Sequence, residues 1–272
     1  MNRKAYNNIN IFIIALALCL VAVPFSRYIS PHAIVNGHDV YLAWLPLSVM
    51  LAVILLFGRR AIIPVLLSFI VTNVYSFHLT VLQHAVLLFC QTFPAFAVCG
   101  VIRLILGKRW RYGLPNKFIG IRIFWLGFML PAGIKLSMYL AGYLFDFPLT
   151  ISTFFGEGTA IYNVVDIQSL ICAVLIFTMM FYYPLRMALN PGYARIFWRG
   201  SVKPIFFTKQ PVYIFTWLMV LIAVIAILCM PLQSAIIASY LMPVIFILFT
   251  LGISRLSYAL ISLLWAASAF LL

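Results

Sequence analysis

Long apolar runs alternate along this chain with short gaps, and the basic residues fall almost entirely in every second gap. Sixteen of the eighteen Lys and Arg residues lie on one side of the series. Three of the four acids, Asp39, Asp146 and Glu157, lie in or beside the gaps on the other side, with all four histidines. Lys and Arg are retained on the cytoplasmic side during membrane insertion, which sorts charge in this way. The pattern predicts a multi-pass membrane protein with a cytoplasmic N-terminus. A chain that is 66% hydrophobic and only 8% charged, with mean hydropathy +1.15, exceeds what a soluble domain can hide. The runs are continuously apolar rather than alternating residue by residue, so they predict helices and not barrel strands. The expected fold is an all-α polytopic transmembrane bundle of about nine spans.

The spans fall near residues 11–27, 41–57, 61–77, 82–106, 123–145, 160–185, 211–230, 234–253 and 256–272. Arg3 and Lys4, Arg59 and Arg60, the group from Arg103 to Arg122, the group from Arg186 to Lys209, and Arg255 occupy the inner gaps. His32, His38, Asp39, His78, Asp146 and Glu157 occupy the outer ones, with His84 just beyond. Residues 1–272 read as a single integral membrane domain with no soluble domain. Arg3 and Lys4 before an apolar stretch resemble a signal peptide, but no small-x-small site follows, so the first span is expected to stay uncleaved. The net charge of +14 does not imply nucleic-acid binding, because the basic residues sit in separate short gaps rather than on one face. The partner they fit is the lipid bilayer. The longest polar gap, 190–210, interleaves Arg and Lys with Trp198, Phe206 and Phe207 and is expected along the inner headgroups. Cys19, Cys90, Cys99, Cys172 and Cys229 all lie in apolar runs without CxxC spacing and read as small buried hydrophobes.

The most distinctive text spans the second and third runs: Tyr41-Leu-Ala-Trp44-Leu-Pro46-Leu-Ser48, then Leu56-Phe-Gly58-Arg59-Arg60-Ala-Ile-Ile-Pro64, then Asn73. Trp44 suits the outer interface. Pro46, read as lying inside a helix, would free a carbonyl one turn back. Gly58-Arg59-Arg60 reads as a tight turn, Pro64 as a helix start, and Asn73 as a membrane amide that needs a partner. This text resembles the first type of membrane-associated sensor domain, MASE type one. Further stretches resemble the phosphodiesterase branch of that family: Arg122-Ile-Phe-Trp125, Tyr183-Pro184-Leu185, Asn190-Pro191-Gly-Tyr193-Ala-Arg195, Cys229-Met-Pro231-Leu232 and Ile261-Ser262-Leu-Leu-Trp265-Ala266. Ser48 stands where the family usually has Gly. The resemblance implies an N-terminal input module of the inner membrane that receives a small-molecule cue. It also implies a cytoplasmic effector, either a cyclic di-GMP enzyme with GGDEF or EAL domains or a histidine kinase. GGDEF and EAL motifs are absent from these residues, and nine spans end outside. The resemblance therefore implies a further helix and an effector beyond them, and it is compatible with a homodimer.

Two ionisable residues lie within the apolar runs themselves. Lys135 is near the middle of the fifth, and Asp166 is about two turns into the sixth. Adjacent antiparallel helices would bring them to similar depth, where pairing relieves the cost of burying either alone. Asn163 shares a helical face with Asp166, and Gln168 lies on another. Lys135, Asp166 and Asn163 are the candidate ligand contacts, with Gln168, Trp44, Pro46 and Asn73 as further polar or pocket-shaping residues. A structural ion pair that sets helix register is the competing reading. No catalytic residues, cofactor or metal site are expected. His32, His38 and Asp39 match no tight ligand spacing, and Ser–His–Asp order, P-loop and HExxH are all absent. The chain is not expected to be an enzyme by itself. A small-molecule transporter or channel component, with Lys135 and Asp166 lining its path, is the alternative from another class.

Overall fold

A computed structural model describes residues 3–35, 38–107, 119–145, 159–203, 211–229, 243–245, 247–252 and 256–271. Lys108, Arg109, Arg111, Lys117, Asp146, Glu157, Lys209 and Arg255 lie outside the described residues. The chain is a polytopic helical bundle. Among the described residues, five stretches are long and apolar enough to cross a membrane: Asn10–Tyr28, Leu45–Ser76, Val81–Leu106, Gly120–Phe145 and Asn163–Leu189. Shorter apolar helices cover Tyr213–Leu228, Pro243–Gly252 and Ala259–Leu271. The stretch Leu45–Ser76 is two helices, so each of the nine apolar runs has a helical counterpart among the described residues.

The chain forms two compact units, Met1–Thr178 and Met179–Leu272. In the first, helix α1 (Arg3–Tyr28) packs on α2 (Leu45–Phe57) and α3 (Ile62–Ser76). Between α1 and α2 stands a two-stranded antiparallel hairpin, β1 (His32–Val35) and β2 (His38–Tyr41). This hairpin is a small β addition to a fold that is otherwise helical among the described residues. The residues that form it include Ile34, Val35, Val40 and Tyr41, which favour extended backbone. Ser30 ties the two helices across it: its hydroxyl donates to Ser26 O at 2.8 Å and accepts from Leu45 N at 3.2 Å.

Helix α2 is the core of this unit. Every residue from Leu45 to Leu55 is buried. It starts at Leu45, not Tyr41, so Pro46 lies in the first turn. That corrects the reading of Pro46 as a mid-helix proline: no intrahelical carbonyl is left waiting, because first-turn N–H groups have no partner in any helix. The turn out of α2 is a short 3₁₀ segment, Gly58–Ala61, in which Gly58 adopts φ +65°. A side chain rarely tolerates that region. Arg59 and Arg60 are exposed at this turn and Pro64 falls in the first turn of α3, as the sequence predicts.

Helix α4 (Val81–Leu106) opens on a capping box: Thr80 Oγ1 accepts from Gln83 N, and Gln83 Oε1 accepts from Thr80 N. It packs along α5 (Leu130–Phe145), with Pro94 beside Gly133 and Cys90 beside Ser137. A π turn (Ile123–Met129) precedes α5, and a second (Ala173–Phe177) follows α6 (Thr159–Cys172). The two π turns pack on each other, where a Cβ on Gly127 would sit 3.1 Å from Leu175.

In the second unit, α7 (Thr178–Leu189) ends at Asn190, and a short helix α8 (Pro191–Phe197) runs into a π turn (Trp198–Val202). Helix α9 (Pro211–Leu228) sets Trp217, Leu221, Val224 and Leu228 on one stripe against Phe249 and Ile261. Trp217 Nε1 donates to Leu248 O at 2.7 Å. The last helix, α10 (Tyr258–Leu271), brings Trp265 to within 4.9 Å of Phe249, centroid to centroid.

Candidate functional site

The most polar juxtaposition inside the apolar helices joins α5 to α6. Ile134, Met138 and Ala141 belong to the face of α5 that packs toward α4, anchored by Cys90 Sγ donating to Ser137 O at 3.3 Å. Lys135 projects instead toward α6, and its ammonium forms an ion pair and hydrogen bond with Asp166 Oδ2. Lys135 is 18% exposed and Asp166 is 40% exposed, so the pair opens on the Asp166 side. Asn163 is buried one turn before Asp166, and Ser169 and Leu170 are buried one turn after. Gln168 is exposed on another face. The helix that carries Asp166 also packs against β2, which puts the hairpin at this end of the bundle. An unpaired Lys or Asp at a helix centre in lipid costs about 2.5–3.5 kcal/mol on insertion scales, and pairing removes most of that. A partly open ammonium–carboxylate pair beside a buried amide can exchange its internal contacts for those of a small polar or zwitterionic molecule.

The other residues singled out in the sequence make their contacts elsewhere. Trp44 packs edge-on against Phe69, with centroids 6.1 Å apart. Asn73 is buried, and its Nδ2 donates to Gln91 Oε1 at 2.8 Å. Ser48 donates to Ala173 O at 2.7 Å, an acceptor that also receives Thr178 Oγ1 at 3.1 Å and Thr178 N. A glycine at 48 could not supply that bond to the π turn. In the hairpin, His32 lies opposite Tyr41, His38 opposite Val35 and Asp39 opposite Ile34. Among the described residues no group of three or more His, Cys, Asp or Glu could hold a metal ion. Cys19, Cys90 and Cys99 are buried, as the sequence predicts, whereas Cys172 is half-buried and Cys229 is exposed.

Sequence reasoning missed Gln91. Its signal was available: two uncharged amides in consecutive apolar runs each need a partner, and each is the simplest partner for the other. Sequence reasoning also missed the pairing of Arg27, whose guanidinium lies 4.6 Å above the Phe77 ring. Arg27 and Lys135 are the two basic residues that break the alternation of charge along the chain, and each is held by a specific partner.

The MASE1 family model matches residues 11–272. The chain belongs to the MASE1 family. It is 47% identical over 272 residues to the probable cyclic di-GMP phosphodiesterase PdeA of Escherichia coli K12, covering all of this chain and 37% of that protein. It is 26% identical over 268 residues to the cyclic di-GMP phosphodiesterase PdeF of the same organism, covering 92% of this chain and 34% of PdeF. The chain thus spans little more than a third of the length of these curated relatives. The part of PdeA that it matches is the N-terminal part. No solved structure matches the chain.

Proposed function

We propose that this MASE1 domain is the membrane input module of a cyclic di-GMP signalling protein, and that its cue is a small polar molecule bound at Lys135, Asp166 and Asn163. The observation that carries the site is the ion pair between α5 and α6, open on the Asp166 side and next to the hairpin. The two phosphodiesterase relatives support the choice of effector, since in PdeA the chain aligns ahead of everything that remains. A ligand that replaces one half of the ion pair changes how α5 and α6 are held together. It shifts a two-state helix arrangement only as far as its affinities for the two states differ. Trp44, Pro46 and Asn73 make their contacts elsewhere in the same unit and are not part of this site.

The alternation of charge supports a bacterial inner-membrane protein with a cytoplasmic N-terminus. A reporter active only in the cytoplasm is expected to give signal when fused after Gly200 and none after Gly158; the reverse pattern would overturn this orientation. The functional test grafts residues 1–272 in place of the matching segment of PdeA and follows cyclic di-GMP hydrolysis as external solutes are varied. Asp166→Asn should change the response while membrane insertion stays intact. Equal turnover with the wild-type, Asp166→Asn and scrambled membrane domains would end the sensor reading. Solute uptake that depends on Lys135 would make a transporter the better account.

A further inference from the structure

The second unit is electrically one-sided. Residues 179–272 contain six Lys and Arg and no Asp or Glu. The segment after α7 concentrates this charge. Asn190 breaks the helix with extended backbone and caps α8, its Oδ1 accepting from Tyr193 N at 3.0 Å. Across this bend the Arg186 guanidinium lies 3.9 Å from the Tyr193 ring centroid and donates from Nη1 to Tyr182 Oη at 3.0 Å. Tyr183 and Tyr193 pack against buried Phe197, which fixes one face of α8 inward.

The opposite side is laid out for a different environment. Arg195, Arg199 and Lys203 recur every fourth residue and all are exposed. Ile196 is 69% exposed and Trp198 58% exposed beside them. A basic stripe flanked by an exposed aliphatic side chain and an indole is the composition of a helix that lies in the headgroup plane. The basic side chains meet phosphate while the apolar ones enter the acyl boundary.

We propose that Arg195, Ile196, Trp198, Arg199 and Lys203 form a binding surface for anionic phospholipid headgroups. The commitment to lipid rests on two features together. The charge is uniformly positive with no acid anywhere in the unit, and the exposed side chains between the charges are apolar. A free phosphate would satisfy the first feature and leave the second in water. The surface lies outside the ion pair of the first unit and does not depend on what that pair recognises.

The test titrates the full 272-residue chain in mild detergent with phosphatidylglycerol and, separately, with zwitterionic phosphatidylcholine, and counts bound lipids by native mass spectrometry. Wild-type chain should prefer phosphatidylglycerol. The preference should fall about fivefold with Arg195→Gln, and about 25-fold with Arg195→Gln and Arg199→Gln together, since each basic side chain near an anionic surface contributes about that factor. Replacing both arginines by Lys should keep the preference, and Arg59→Gln with Arg60→Gln, on a basic turn of the other unit, should lower it by less than the Arg195 and Arg199 pair does. With wild-type chain alone, raising salt should weaken phosphatidylglycerol binding more than phosphatidylcholine binding. Equal binding of the two lipids overturns the proposal, as does an equal loss with the Arg59 and Arg60 variants. Full competition by inorganic phosphate would mark an ion site rather than a lipid surface.

Discussion

Asn73 and Gln91 allow the sharpest energetic test of this membrane core. Their side chains are 2% and 6% exposed, and the hydrogen bond between them measures 2.8 Å. Asn73→Leu keeps the forked shape of the side chain, but its methyl groups are bulkier than the amide, so an overpacking cost of about 1–3 kcal/mol can add to the single variant and is separated from the bond only by the full cycle. What it removes is the donor to Gln91 Oε1, leaving a buried amide oxygen unsatisfied at a cost of about 1–3 kcal/mol. Gln91→Met should cost a similar amount by orphaning Asn73. The double variant leaves no orphan, so its loss should fall short of the sum of the singles. Pairwise polar couplings between membrane helices run from about 0.6 to 1.7 kcal/mol, and the non-additivity should lie in that range. Reversible unfolding in mixed micelles, with SDS as denaturant, measures all four corners of the cycle. Additivity to within about 0.3 kcal/mol would show that the two amides do not depend on each other, and the account of α3 packing on α4 through this bond would be wrong.

For the ion pair, Asp166→Asn should lower folded yield, and adding Lys135→Met should recover about 1–3 kcal/mol by removing the stranded ammonium. The partial exposure of Asp166 favours the lower end of that range. A double variant no more stable than either single would break the partnership. Gly252→Ala should destabilise the second unit by about 1–3 kcal/mol, because a Cβ there would meet Trp217 Cζ2 at 2.8 Å, on a ring already tied to Leu248 O. An unchanged melting temperature would mean that the indole has room to move. Ser48→Ala should cost on the order of 1 kcal/mol in the same assay, since Thr178 still donates to Ala173 O. A neutral result would remove Ser48 from the π-turn account.

The helical, membrane-spanning class was legible because it depends on hydropathy and charge, quantities that need no tertiary structure. Lys135 and Asp166 were legible as partners because lipid makes each intolerable alone. The β hairpin was not, since His32 to Val40 reads as a polar gap and its strands become evident only through mutual backbone pairing. The start of α2 was misplaced for a similar reason. Tyr41 to Trp44 is as apolar as the helix beyond it, and hydropathy alone cannot distinguish a strand end from a first turn. The bond from Ser48 to Ala173 crosses 125 residues, a separation over which local pattern carries no information. The π turns leave no hydropathy trace, because an added residue in an apolar helix is one more apolar residue.

Those π turns make the helices sensitive to chain length. A π turn is a single-residue insertion that a helix absorbs without ending, at the cost of a locally widened coil. At Ala173 the carbonyl accepts from Thr178 N and Thr178 Oγ1 in its own helix, and Ser48 adds a third donor from the neighbouring one. Excising one residue from Ala173–Phe177 would restore ordinary α geometry and rotate the side chains beyond the turn by about 100° relative to Asp166. Among the described residues helix faces therefore have a phase, reset near Gly127, near Ala173 and again near Arg199, and that phase tolerates a change of residue far better than a change of count.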